Sequence, residues 1–272
     1  MVTVVSFSEK DNKASTKLKA CFPRTAHSTA HSTPTSTLAR FFQQKMSTLK
    51  ITDLNNGGVS ALQQGRHKDA VCLLRTALAD LKERFVVPAP SSSIQPPNAL
   101  SQDKPSIFSE PIWNEETTTQ QQDKTSIFMY SQALVLADDE DHCKELLVGV
   151  VFYNMALVNH ARAIETGKAS LLTAALNFYG MAVAVTQSRN DVTQSRNDGV
   201  NASDYWLLLA VSNNMAHIYL TQVCSERLCQ CLDNIRSLLA TNIAVEVVDA
   251  GDYYFFVANS LLQIRVNSAP AA

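Results

Sequence analysis

The sequence predicts an all-α chain: a short solenoid of antiparallel helix pairs, about three pairs plus a terminal helix, interrupted by a long irregular insertion. Three observations carry this. Apolar residues recur at three- and four-residue steps in successive blocks, as they do on one face of a helix. Single glycines, Gly65 and Gly167, separate blocks that would fold back on each other. An Asn-led pattern followed by small residues returns at Asn56, Asn154 and Asn214, in the first helix of each expected pair.

Residues 1–46 lack apolar periodicity. They carry seven basic residues (Lys10, Lys13, Lys17, Lys19, Arg24, Arg40, Lys45) against Glu9 and Asp11, a net charge of +5. The segment reads as a disordered basic tail ahead of a true start at Met46, or as a transit peptide, being hydroxyl-rich and nearly free of acids. Residues 47–272 form the expected helical domain. In its first pair, the helix containing Asn55 and Asn56 ends at Gly65. The next helix places Ala70, Leu73, Leu74, Ala77, Leu78 and Leu81 on one apolar face.

An insertion over about 86–125 breaks the pattern, with six of the nine prolines between Pro88 and Pro111. It holds two near copies, Gln102–Phe108 and Gln122–Phe128, read as a duplicated piece of loop. Residues 126–136 are apolar enough to pack in extended form. The second pair joins Cys143–Ile164 to Ser170–Val185 through Gly167. A tandem heptad, Val185–Asp191 and Val192–Asp198, is expected to form a polar loop over about 186–202. Ser203 is the expected cap of the fifth helix, which runs to about Val223; Glu226–Leu239 pairs back onto it, and Asp249–Ile264 closes the stack.

The first pair resembles a tetratricopeptide repeat (TPR). Gly58, Gly65, Ala70, Leu74 and Ala77 stand at that family's small and large packing positions, with Asn56 two residues before Gly58. In the second pair Asn154, Met155, Ala156, Ala175, Tyr179 and Ala182 match. In the third, Asn214, Met215, Ala216 and Tyr219 match, but its second helix departs from the pattern. The resemblance covers about half the chain. It implies a groove lined by first helices at Asn55, Asn56, Val59, Leu62, Gln63, Tyr153, Asn154, Leu157, His160, Asn213, Asn214, His217 and Thr221. The family's carboxylate clamp uses Lys and Arg, which these positions lack, so a chaperone-tail clamp is not expected. Asn side chains, each a donor and an acceptor, can instead bridge the backbone of an extended peptide. The competing reading has Asn56, Asn154 and Asn214 only tying neighbouring helices together. The expected function is a non-catalytic scaffold binding a protein or peptide partner in this groove. A groove plugged by the chain's own insertion, with no surface left to bind, would count against it.

The alternatives rest on less. The net charge of −2 gives no reason to expect nucleic acid. No secretory signal is evident and no apolar run approaches the ~18–20 residues of a membrane span. The expected compartment is therefore the cytoplasm, or an organelle if the basic tail is a transit peptide. Cys21, Cys72, Cys143, Cys224, Cys229 and Cys231 read as buried small hydrophobes rather than zinc ligands, since residues two apart on a helix point nearly opposite ways. The acidic run Asp138–Asp141 lacks the spacing of a calcium loop and reads as a solvated helix start. No metal or cofactor is expected. An enzyme would have to bring His160, His217 and those acids together. Tyr253–Phe256 is expected to pack against the preceding pair, not to form an aromatic docking patch.

Overall fold

The computed structural model describes residues 37–86, 107–112, 129–137, 142–194, 201–241 and 249–266. The chain divides into two units, residues 1–44 and 45–272. The described part of the first unit is the helical stretch 37–44, and the second unit holds the remaining elements. Among the described residues there are seven helices: α1 (Thr37–Gln63), α2 (His67–Val86), α3 (Lys144–Thr166), α4 (Ala169–Gln194), α5 (Ala202–Thr221), α6 (Ser225–Leu239) and α7 (Ala250–Val266). Two strands, β1 (Ile107–Pro111) and β2 (Gln132–Leu136), form one small antiparallel sheet.

Short turns fold the first six helices into three hairpins. Gly65 and Gly167 occupy these turns with φ of 68° and 65°, the left-handed region that a Cβ disfavours. Within the first hairpin the helices approach closely: a Cβ on Gly58 would lie 2.9 Å from Cγ of Leu74, so only glycine fits without displacement. Consecutive hairpins pack through α2 on α3 and α4 on α5, and α7 packs on α6. The core is continuous, from Ile51, Leu62 and Leu74 through Val150, Leu157 and Tyr179 to Leu209, Ile235 and Phe256.

Four boundaries differ from expectation. Helix α1 begins at Thr37, ahead of the expected edge at residue 46. Helix α4 continues to Gln194, so the first heptad and the start of the second are helical rather than a polar loop over 186–202. Thr186 closes onto the Ala182 carbonyl and Ser188 onto that of Ala184, satisfying their hydroxyls within the helix. Asn201, not Ser203, caps α5, its side chain accepting from the Ser203 N–H. Finally, residues 107–111 of the insertion are a strand, because β2 gives them a ladder to pair with. The near copy Gln122–Phe128 and the acidic run Asp138–Asp141 lie outside the described residues, as do residues 1–36 and Cys21.

Helices α3 and α4 are long and apolar enough to cross a membrane, which corrects the expectation that no segment of the chain is. Scattered polar residues such as Asn154, Asn159 and His160 interrupt α3, so its apolar character lies in the average over the helix and not in an unbroken run. Most of α3 is buried inside the protein, whereas α4 is largely accessible. Of the described cysteines, Cys231 is buried, Cys143, Cys224 and Cys229 are half-buried and Cys72 is exposed, so the expectation of buried thiols holds for Cys231 alone.

Candidate functional site

The strand β2 and the residues just before it lie along a row of polar side chains presented by α1, α3 and α5. Asn56 accepts from the Leu136 N–H at 3.1 Å and donates to the Leu136 carbonyl at 2.9 Å. Asn154 does the same at Leu134, 3.0 and 2.7 Å. Asn214 does it at Tyr130, 2.8 and 3.0 Å. The intervening Gln132 carbonyl accepts from the Tyr153 hydroxyl at 2.8 Å. Asn55 donates to the Leu134 carbonyl at 3.1 Å and accepts from Asn154 at 2.9 Å, joining α1 to α3 beneath the strand.

The alternation explains the geometry. In an antiparallel pair, every second residue turns its N–H and C=O toward the neighbouring strand and the others turn theirs away. The Ile112 N–H donates to Ser131 at 3.0 Å, which assigns the odd-numbered residues of β2 to β1. The even-numbered residues 130, 132, 134 and 136 face the helices, and each meets an Asn or Tyr there. The asparagines thus stand where a third strand would, each supplying a donor and an acceptor to the main-chain groups of one residue. Leu134 is 0% exposed, so without these partners its two main-chain groups would be buried and unsatisfied.

The segment is also fixed by side chains. Tyr130 is 2% exposed; its hydroxyl donates to Asp252 at 2.6 Å and accepts from Trp206 Nε1 at 3.2 Å. Its ring packs on Phe256 and Phe255, with centroids 4.8 and 5.7 Å away. Burial, then the adjacent Asp252 carboxylate, hold the Tyr130 phenol well above its ordinary value. Burial likewise raises Asp252, opposed by the hydroxyls of Tyr130 and Ser109. Ser109 of β1 donates to that same carboxylate at 3.2 Å. Neither Asp252 nor Trp206 is marked as a site residue by the sequence. The aspartate stands in the first turn of a helix, and its role depends on Tyr130, 122 residues away.

The expected groove residues therefore divide. Asn55, Asn56, Tyr153, Asn154 and Asn214 bond to the strand, and Gln63 donates to Glu110 and the Pro111 carbonyl of β1 at 2.9 and 3.2 Å. Asn213 accepts from Asn259 of α7 at 2.7 Å and so ties helices together. Val59, Leu62 and Leu157 are core, and Thr221 is exposed, donating to Ile218. Tyr253–Phe256 is split: Phe256 is buried against Tyr130, while Tyr254 is exposed.

His160 and His217 do come together, Nε2 to Nδ1 at 2.9 Å, with exposures of 0% and 3%. Tyr179 Oη lies 3.5 Å from His160 Nδ1 and accepts from Asn214 at 3.1 Å, so the pair connects to the asparagine row. Burial, then the neighbouring His217, hold His160 well below its ordinary value. The shallow depression lined by Lys68, Val71, Cys72, Arg75, Thr76 and Ala79 is built from α2 and includes neither histidine. Among the described residues, no group of three His, Cys, Asp or Glu is placed to hold a metal ion. Comparison with known proteins finds no matching family model, no matching curated protein and no matching solved structure.

Proposed function

We propose that this chain is a non-catalytic interaction module, a short TPR-like stack whose groove grips one extended polypeptide segment by its main chain. The observation that carries the reading is the repetition of one contact. Asn56, Asn154 and Asn214, one from the first helix of each hairpin, each bond both the N–H and the C=O of a single residue of an extended segment. Side chains needed only to tie helices together would not have to match a strand's two-residue repeat three times. Contacts of this kind recognise extended backbone whatever its sequence, leaving selectivity to side-chain pockets.

The chain's own residues 130–136 fill the groove, which counts against the reading unless that strand can leave. A strand joined by connecting segments on both sides is a ligand at high effective concentration, and a partner in trans must compete with it. The test uses the full chain with Leu134→Ala, which weakens the resident strand, and a fluorescein-labelled peptide of the sequence of residues 128–138. Fluorescence anisotropy should show the peptide binding this variant more tightly than the unaltered chain. Adding Asn56→Ala, at the part-buried end of the row, should weaken binding at least about 10-fold while the helical circular dichroism is kept. If no variant binds the peptide, the groove is a permanent internal scaffold and the interaction reading fails.

A further inference from the structure

The resident strand also defines what the groove selects, an inference that rests on the interaction reading above. Four positions of the segment are closed to solvent. Tyr130 enters a pocket made by Trp206, Asp252 and Phe256, in which its hydroxyl both donates and accepts. Ala133 is 0% exposed, so a charged side chain there would be buried, and Leu134 and Leu136 are buried at 0% and 1%. By contrast, Ser131, Gln132 and Val135 are half-exposed and unconstrained by comparison.

Charge points the same way. Every group bonded to the segment from α1, α3 and α5 is neutral, and among the described residues Asp252 is the charged partner it meets. That carboxylate accepts two hydroxyls, from Tyr130 and Ser109. This half-buried acceptor favours a hydroxyl donor, and a ring without one would leave it with Ser109 alone. We infer that the partner of this groove is a protein presenting an uncharged, extended Tyr-x-x-Ala-Leu-x-Leu segment, which takes the place of residues 130–136 along the asparagine row.

A hydrogen bond to a charged, partly desolvated acceptor contributes about 10- to 100-fold in affinity. The experiment compares peptides on the Leu134→Ala full chain. The peptide of residues 128–138 is set against versions with Phe for the tyrosine, Glu for the alanine, and Ala for both leucines. Each change should weaken binding at least about 10-fold, and Asp252→Asn in the protein should shrink the tyrosine-over-phenylalanine preference to a few-fold. Should all four peptides bind equally, the groove reads backbone alone and the sequence preference is overturned while the interaction reading stands. Should none bind, the interaction reading itself fails.

Discussion

Val223 stands where the first and second hairpins place glycine. Its N–H donates to Leu220 and that of Cys224 to Tyr219, the same pattern by which Gly65 and Arg66 bond Leu62 and Ala61 at the first turn. Its φ is 55°, a left-handed conformation that opposes Cβ to the following carbonyl. The side chain is 89% exposed and gains nothing from burial in return. Left-handed geometry costs a Cβ-bearing residue about 1–2 kcal/mol, and glycine's extra freedom when unfolded takes back about 0.5–1. Val223→Gly should therefore stabilise the chain by about 1 kcal/mol and raise Tm by roughly 2–4 °C. Calorimetry showing no rise, or a fall, would mean that the turn does not hold this conformation in solution.

The asparagine row is the element that joins sheet to helices. Asn154→Ala would leave the Leu134 N–H and C=O without their Asn154 bonds and remove the bond to Asn55, all in a buried setting. The expected loss is about 3–5 kcal/mol, and amide exchange at residues 130–136 should accelerate more than that of the α3 core. Asn213→Ala, on the neighbouring position of α5, removes the bond to Asn259 and only a long 3.5 Å bond to the row at Asn214, and should accelerate strand exchange far less. Equal acceleration in the two variants would show that the row does not hold the strand. Much of this element is legible in the sequence. The apolar periodicity marks the helices, and the recurrence of Asn56, Asn154 and Asn214 marks the row. Residues 126–136 read as extended because they are apolar enough to pack in that form. The cause of the pairing is not legible. Nothing local in Ile107–Pro111 specifies a strand until β2 lies beside it, and nothing near Asp252 indicates a partner at Tyr130. Heptad repeats of polar residues suggest a loop after Val185, yet Thr186 and Ser188 close onto carbonyls of α4 itself and the helix continues.

Across the whole molecule, two buried ionisable sites act in opposite directions as pH falls. His160 is held below the ordinary histidine value, so the unfolded chain takes up a proton first; stability is full above about pH 6.5 and declines below it. Asp204 is pushed up to about 6 by burial, which outweighs Arg189 3.0 Å away, and its second carboxylate oxygen has no hydrogen-bond partner. Here the folded chain takes the proton first. The stability it contributes is fully present below its unfolded value of 3.8 and is lost as pH rises through about 6. A displacement from 3.8 to about 6 corresponds to roughly 3 kcal/mol. The native profile between pH 4 and 6.5 is thus a partial cancellation, and single substitutions separate the two terms. Asp204→Asn removes the gain, so its stability should fall more steeply than the native chain's as pH drops from 6.5 to 4. His160→Gln removes the loss, so its stability should rise over the same interval. The two variants are compared with the native chain by urea unfolding at each pH, and only slopes are read, because each substitution also shifts the baseline. Parallel slopes for all three proteins would place the pH dependence in other groups and remove both sites from the account. Because His160 reaches the asparagine row through Tyr179, the native chain should also lose protection at Tyr130 before its helices melt as the pH is lowered below 6.5.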